Sequence, residues 1–211
     1  MISTKEEMKQ EKFFLEIPTI TRKQEALDYL AEFIKYRSDL NGMGSMNMCL
    51  EGALYEEWLL ELRKREDIEY VSQINRCLSK TFFVIRKNDN RIVGMINIRY
   101  NISNEMLRKG ASHIGYGIRT TERSKGYAKI ALYLGLIEEQ KLGEDNVLLE
   151  CTVDNIGSNK TIRALGGRLE KTELDANDNT MTNYYWINVN DSVKKYFEQY
   201  DNKIEKIKVG L

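Results

Sequence analysis

A nearly continuous apolar run at residues 146–153 (NVLLECTV) follows a long helical pattern at about 125–141. A strand that lacks alternation of apolar and polar residues is typical of a sheet position covered on both faces. Another strand is predicted before the helix, at 111–119, so the helix would form the crossover between two strands. These features together predict a mixed α/β domain with one crossover connection.

The rest of the chain divides into a helix-rich front and a strand-rich second half. Apolar residues recur at helical spacing in the front, whereas β-rich runs separated by turn residues dominate from residue 80 onward. The chain has one proline and no Gly/Ser-rich linker, so we expect a single domain over residues 1–211. Further strands are predicted at 12–17, 81–87, 91–100, 167–174 and 181–189, the last two around a turn at 176–179, and further helices at about 22–37, 50–65, 158–165 and 191–208.

Charge and composition argue against several classes of function. Lys and Arg together number 32, as do Asp and Glu, so the formal net charge is 0 and we expect no nucleic-acid partner. Three cysteines without a C-x-x-C pair and a single histidine argue against a disulfide framework and against a metal site. No apolar run approaches 18 residues, and the N-terminus lacks an apolar segment of signal-peptide type. We therefore expect a cytoplasmic protein with no membrane contact.

The stretch 118–128 (IRTTERSKGYA) carries the strongest chemical signal. A strand ends here, a short loop containing Gly126 turns the chain, and a long helix begins. The free N–H groups and the positive dipole of a helix N-terminus attract anions, and Arg123 and Lys125 add positive charge. The pattern predicts a phosphate cradle, and a loop that binds nothing is the alternative. The Walker and dinucleotide-binding glycine patterns are both absent.

Residues 123–128 (RSKGYA) resemble the R/Q-x-x-G-x-G/A loop of the GNAT N-acetyltransferase superfamily, which holds the pyrophosphate of acetyl-CoA. Residues 113–119 are similar to the strand that precedes this loop in the family, and 154–167 (DNIGSNKTIRALGG) are similar to the part that follows the fifth strand. The resemblance covers residues 80–190 and, more loosely, the whole chain. It implies a mixed, mostly antiparallel central sheet, flanked by helices, with a splay between strands 4 and 5.

The resemblance also implies where acetyl-CoA would bind as a co-substrate. The pantetheine arm would lie in the splay against the backbone of the fourth strand, and the pyrophosphate would receive N–H groups from the loop. Asn155 would reach the pantetheine arm and Ser158 the thiol end or the phosphates, although both residue types also cap helices. The implied cofactor-binding residues are Tyr116, Ile118, Arg119, Arg123, Ser124, Lys125, Gly126, Tyr127, Ala128, Asn155 and Ser158.

Family members transfer the acetyl group by direct attack of an amine, which needs a base and an acid. The candidate bases are His113, whose residue type has an ordinary pKa that suits this work at neutral pH, Glu150 and Glu105. The tyrosine that usually protonates the thiolate is replaced by Ile162, and the substitutes left open are Tyr184, Tyr185, Tyr116 and solvent. Cys151 is interpreted as a small buried hydrophobe rather than a nucleophile. The predicted catalytic residues are therefore His113, Glu150 and Tyr184.

The resulting hypothesis is an acetyl-CoA-dependent N-acetyltransferase that acts on a primary amine. The acceptor, a small molecule or a peptide, is left open, and so is a homodimer. Residues 20–79 would form the acceptor side, residues 80–190 the acetyl-CoA-binding core, and residues 191–208 a charged C-terminal helix. Within the acceptor side, Gly42 and Gly44 predict a mobile loop at 38–49.

Two other classes of function remain open at this point. A non-catalytic module that binds CoA or acyl-CoA would have the same fold, and the isoleucine at the usual tyrosine position favours it. An interaction protein would instead dock a partner through the charged segment at 194–208.

Overall fold

The computed structural model describes residues 11–108, 111–175 and 179–205. Within these ranges no helix combines the length and the apolar character needed to cross a membrane. The strands are β1 (Phe13–Glu16), β2 (Leu78–Arg86), β3 (Arg91–Tyr100), β4 (Ile114–Ile118), β5 (Asn146–Thr152), β6 (Arg168–Leu174) and β7 (Met181–Asn188). The α-helices are α1 (Lys23–Lys35), α2 (Tyr55–Lys64), α3 (Ile68–Gln73), α4 (Asn104–Arg108), α5 (Tyr127–Leu142), α6 (Ile156–Ala164) and α7 (Val189–Tyr200).

The strands form two antiparallel sheets that meet at the start of β4. The first sheet has the order β1-β2-β3-β4 and the second the order β5-β7-β6. At the junction the His113 N–H donates to the Leu148 carbonyl at 2.8 Å, and the Leu148 N–H donates to His113 Nδ1 at 3.0 Å. Beyond it, the described residues of β4 and β5 share no backbone hydrogen bond. The predicted mixed sheet that opens between strands 4 and 5 is therefore confirmed.

Helix α5 covers one face of the sheets, and α1 and α2 cover the other face of the first sheet. Nine of the 16 residues of α5 are buried, as expected for a helix that is apolar around most of its circumference. The strands alternate between the two layers: Val84 and Ile96 pack on the α5 side, whereas Phe83 and Met95 pack on the α1–α2 side. This alternation decides which side chains can reach each face of the opening.

The loop between α1 and α2 packs closely against the sheet at Gly42 and Gly44, and its mobility stays a prediction. A Cβ on Gly42 would come within 2.5 Å of the Tyr116 Cα, and a Cβ on Gly44 would overlap the Thr81 hydroxyl. Both glycines also have positive φ, +74° and +55°. They are needed because the loop backbone lies directly on β4 and β2.

Several boundaries differ from the predicted ones. Helix α3 was not predicted, and the helix expected from residue 50 begins at Tyr55, because Met46–Glu51 forms a 3-10 turn. The C-terminal helix ends at Tyr200, and residues 206–208 of the predicted helix lie outside the described residues. Most of the predicted turn at 176–179 also lies outside them.

Glu139 on α5 is fully buried, and neither of its carboxylate oxygens has a hydrogen-bond partner among the described residues. Burial raises the pKa of this carboxyl to about 9. An unfolded chain ionises a glutamate from about pH 4.3 upward, so folding is penalised increasingly as the pH rises from there toward the folded-state pKa. We expect Glu139→Leu to raise the free energy of unfolding by about 1–3 kcal/mol at pH 8, and by less at pH 5.

Urea unfolding at the two pH values measures this difference. Glu138→Leu is the matched control, because Glu138 is the preceding residue and pairs with Lys141 at the helix surface. We expect the control to change stability by less than about 0.5 kcal/mol. A Glu139→Leu protein that is less stable at both pH values would contradict the expectation.

Candidate active site

A cluster of free backbone donors lies where the chain enters α5. The N–H groups of residues 124–128 have no hydrogen-bond acceptor among the described residues. Ser124 and Gly126 have positive φ, +65° and +85°, which turns successive N–H groups toward one side of the loop. A Cβ on Gly126 would meet no atom within 4 Å, so the loop is open on that side. The arrangement fits a pyrophosphate group.

A cluster of paired charges lies beside this loop. The buried carboxylate of Glu122 accepts from Lys125 at 2.7 Å and from Arg86 at 2.9 Å, and Arg91 approaches it at 3.3 Å. Desolvation raises the pKa of Glu122, but the hydrogen bonds from Lys125 and Arg86 outweigh it and lower the pKa. Arg86 also pairs with Asp89 at 2.6 Å and lies 3.9 Å from Glu11, so three carboxylates balance these three cations. Arg123 makes no salt bridge among the described residues, so it supplies the positive charge that remains beside the free N–H groups.

The two walls of the opening are the facing edges of β4 and β5, which share no backbone hydrogen bond here. The Ile118 carbonyl on the β4 edge is already taken by Arg123 Nε. The Arg119 N–H donates to Val93 at 2.9 Å, which shows that the odd-numbered residues of β4 face β3. Because backbone direction alternates along a strand, the N–H and carbonyl groups of Tyr116 and Ile118 face the opening. By the same alternation, Glu150 presents its backbone to the opening from β5. These edges can hydrogen-bond an extended chain placed between the strands.

Helix α6 begins beside this opening. Asn155 Oδ1 accepts from the Ser158 N–H at 3.0 Å, so Asn155 is the N-cap of the helix. The Tyr116 hydroxyl lies 3.0 Å from the Ser158 hydroxyl, and this contact spans from β4 to α6. Burial raises the pKa of Tyr116. Three of the predicted residues thus come together at the opening.

Arg123 and Arg119 lie in different surroundings. Arg123 Nε donates to the Ile118 carbonyl at 3.1 Å and Nη2 donates to Ser38 Oγ at 2.6 Å, which ties the loop to the end of α1. The Arg119 side chain is buried and donates to the Ile92 carbonyl and to Glu32, both at 3.0 Å. Since its N–H is also bonded within the sheet, Arg119 holds α1 to the sheet and does not face the opening.

The side chain of Tyr127 also points away from the cradle. Its hydroxyl lies 2.8 Å from Glu11 Oε1 and 3.1 Å from Arg86 Nη1, and the ring is buried. Only the backbone N–H of Tyr127 belongs to the group of free donors.

His113 lies at the closed end of the opening. Its side chain is buried, and Nδ1 accepts the Leu148 N–H. Desolvation lowers the pKa of the ring. The hydrogen bond occupies the nitrogen that would accept a proton, so the geometry favours a role in joining the sheets over a role as base.

Glu150 and Tyr184 lie directly opposite each other on β5 and β7. Cross-strand partners share a face of the sheet, so these two predicted catalytic residues are neighbours. Glu150 is partly exposed, and its Oε1 accepts from the Ser112 hydroxyl at 3.3 Å. Cys151 points to the other face, into the core under α5, and burial raises the pKa of its thiol to about 11. A thiol that resists ionisation is a poor nucleophile.

Three polar residues near Glu150 were not predicted from the sequence. Ser112 lies just before β4, and Asn97 and Arg99 project from β3 toward the same face. The signal was present: Asn97 and Arg99 alternate with apolar residues in an otherwise hydrophobic strand. Within the described residues, no group of three His, Cys, Asp or Glu side chains is placed to hold a metal ion.

The comparisons with known proteins agree with this geometry. The ribosomal L7/L12 alpha-N-protein acetyltransferase RimL, in complex with coenzyme A, has a TM-score of 0.60 at 16% identity, over 84% of this chain and 94% of that one. The ribosomal-protein-S5-alanine acetyltransferase from Vibrio fischeri has a TM-score of 0.61 at 17% identity, over 85% and 94%. Mycobacterium smegmatis RimJ, with CoA-disulfide, has a TM-score of 0.63 at 16% identity, over 89% and 88%. At these identities the likeness shows the fold alone.

The sequence comparison gives the family. No curated protein matches the sequence of this chain. The model of the acetyltransferase (GNAT) family matches residues 52–166, which is more than half of the chain. This protein therefore belongs to the acetyltransferase (GNAT) family.

Proposed function

We propose that this protein transfers the acetyl group of acetyl-CoA to a primary amine by direct attack of the amine. One observation carries the proposal: the free N–H groups at 124–128 adjoin the opening, where β4 and β5 share no backbone hydrogen bond. The N–H groups of Tyr127 and Ala128 are free as at any helix start, and those of 124–126 extend this set of donors along the loop.

The residues that would hold acetyl-CoA divide into two sets. The N–H groups of 124–128, with Arg123 and Lys125 beside them, would bind the pyrophosphate. The backbone edges of Tyr116 and Ile118, together with the start of α6, would hold the pantetheine arm. When bound, acetyl-CoA supplies the acetyl group as a thioester that an amine can attack.

Side chains at the opening would accept the proton of the amine and supply a proton to the departing thiolate. We assign Glu150 as the base, because it is a partly exposed residue on β5, the strand that forms one wall of the opening. Tyr116 keeps its proton at neutral pH, because burial raises its pKa, and its hydroxyl lies between the strands and α6. Tyr184, opposite Glu150, is the second candidate acid.

The acceptor follows from the relatives only as a proposal. RimL is named as an alpha-N-protein acetyltransferase and the Vibrio fischeri protein as a ribosomal-protein-S5-alanine acetyltransferase. We therefore propose a peptide amine as the acceptor, bound on the side formed by residues 20–79, with residues 80–190 as the acetyl-CoA-binding core and 191–208 as the charged C-terminal part. The cytoplasmic location and a homodimer remain predictions.

A non-catalytic CoA-binding module is the second candidate. Ile162, at the position of the usual tyrosine, is buried in the core under α5. A protein of this kind would bind acetyl-CoA without releasing its thiol in response to an amine.

Thermal unfolding with acetyl-CoA, CoA and NAD tests the proposal. A ligand that binds only the folded state at a hundredfold excess over Kd raises stability by about 2.7 kcal/mol. We expect acetyl-CoA and CoA to raise the unfolding temperature and NAD to leave it unchanged. Thiol release should then depend on added peptides with a free amino terminus. No shift with either CoA ligand would contradict cofactor binding, and a shift without thiol release would support the binding module.

A further inference from the structure

A connected row of polar side chains crosses the sheet face that carries Glu150. It runs from Thr81 on β2 through Asn97 and Arg99 on β3 to Ser112, and it ends at the Glu150 carboxylate on β5. The five residues come from four segments, namely β2, β3, the residues just before β4, and β5, so only the folded sheet brings them together. Thr81, Asn97 and Ser112 are each less than 9% exposed.

The direction of each hydrogen bond in this row is fixed. Arg99 carries only donors, and it donates through Nη1 to Ser112 Oγ at 3.0 Å and to the Ser112 carbonyl at 2.7 Å. Its Nε donates to Asn97 Oδ1 at 3.0 Å. The Asn97 amide therefore turns its Nδ2 toward Thr81 Oγ1, which it meets at 3.0 Å. Arg99 is thus held in one orientation from both sides.

The donors and acceptors around Ser112 also fix the direction of its hydroxyl proton. A serine hydroxyl has one proton to donate, and a lone pair of its oxygen is already used by Arg99. The proton is left to point at Glu150 Oε1, which lies 3.3 Å away. The Ser112 hydroxyl therefore bridges the Arg99 guanidinium and the Glu150 carboxylate. Most water is excluded from this contact, which strengthens the hydrogen bonds.

We propose that Ser112, oriented by Arg99, is a positioning residue that fixes the Glu150 carboxylate and favours its charged form. This inference rests on the proposed function, in which Glu150 accepts the proton of the acceptor. The hydroxyl forms no bond with the substrate and exchanges no proton with it. The titratable and charged groups on the side of this row are Arg76, Cys77, His113 and Tyr184. From the α5 side of the sheet, Glu139 interacts with Arg99 and Cys151 with Glu150, and Glu144 interacts with His113.

The first test compares Ser112→Ala with Thr81→Val in steady-state kinetics. Loss of the Ser112 hydroxyl leaves Glu150 without this donor, so we expect kcat/KM at neutral pH to fall roughly tenfold and its acid limb to move to higher pH. The dissociation constant of acetyl-CoA should stay unchanged. Thr81→Val breaks only the far end of the row, and we expect its pH profile to match that of the unmodified protein.

The second test does not depend on activity. Urea midpoints at neutral pH are measured for Ser112→Ala, Glu150→Ala and the double variant, because alanine removes the acceptor that glutamine would keep. If the two side chains are coupled, the shift caused by Ser112→Ala will be much smaller when Glu150 is already replaced. Additive shifts would overturn the proposal. Should Ser112→Ala fail to fold, Ser112→Cys keeps the volume with a weaker donor and carries the same comparisons.

The outcomes separate this inference from the proposed function. An unchanged pH profile in Ser112→Ala, with Glu150→Gln still inactive, would overturn the positioning role and leave Glu150 as the base. A fully active Glu150→Gln protein would overturn the assignment of the base itself. In that case coupled urea midpoints would still report the contact, but as a purely structural one.

Discussion

Replacing Gly126 with valine is expected to weaken acetyl-CoA binding by roughly 30-fold or more, equivalent to about 2 kcal/mol. Gly126 has φ +85°, a conformation that a β-branched residue adopts only under strain. The Cβ itself would have room, so the effect comes from the backbone. Relief of the strain would rotate the loop and move the free N–H groups of 124–128 out of their common direction. Calorimetric titration with acetyl-CoA measures the change.

Gly143→Val is the matched control for this experiment. Gly143 ends the same helix, also has φ +85°, and also has no atom within 4 Å of a Cβ. Both variants should lose about 1–3 kcal/mol of stability through backbone strain. Only Gly126→Val should lose affinity. Equal affinities in the two variants would mean that the loop at 124–128 does not hold the pyrophosphate.

The strands and helices were predictable wherever a local pattern decides them. The nearly continuous apolar run of β5 and the β-rich runs of β2 and β3 give their positions directly. Helix α3 was missed because its six residues are too few to show a period. The opening between β4 and β5 came from the resemblance of residues 113–128 and 154–167 to a family, because no local pattern shows that two strands diverge.

The site was less predictable because its contacts join distant parts of the chain. Arg119 pairs with Glu32, 87 residues away, and nothing in the local sequence shows that its side chain is buried in this contact. Glu32 also accepts from Thr120 and Thr121. Desolvation raises its pKa, but these hydrogen bonds outweigh the effect and lower the pKa to about 2.

Two further sequence interpretations depended on partners that only the fold supplies. His113 looked suited to base work because of its residue type, yet its Nδ1 is taken by the backbone of β5. Gly42 and Gly44 looked like hinges, but they permit close packing of the loop on β4 and β2. In each case the residue type allowed two roles, and the tertiary contact showed which of them the structure supports.

Replacing Glu150 with glutamine is expected to lower kcat by about 10²–10⁴-fold, the usual contribution of a general base. The amide keeps the size of the side chain and can still accept a hydrogen bond from Ser112, but it cannot take a proton from the acceptor amine. The affinity for acetyl-CoA should change by less than about twofold, since the cradle at 124–128 lies on another element. A thiol-release assay with a saturating peptide amine, together with calorimetric titration, measures both quantities.

Glu138→Gln is the control, since it makes the same chemical change on α5, where Glu138 pairs with Lys141. It should retain the full rate and the full affinity. A Glu150→Gln protein with an undiminished rate would place the base elsewhere, either at Glu105 or at water. A Glu150→Gln protein that loses acetyl-CoA affinity and rate together would show that the carboxylate supports the cofactor wall of the opening. Only loss of rate with retained affinity would support Glu150 as the base that accepts the proton of the amine, because only that result separates proton transfer from binding.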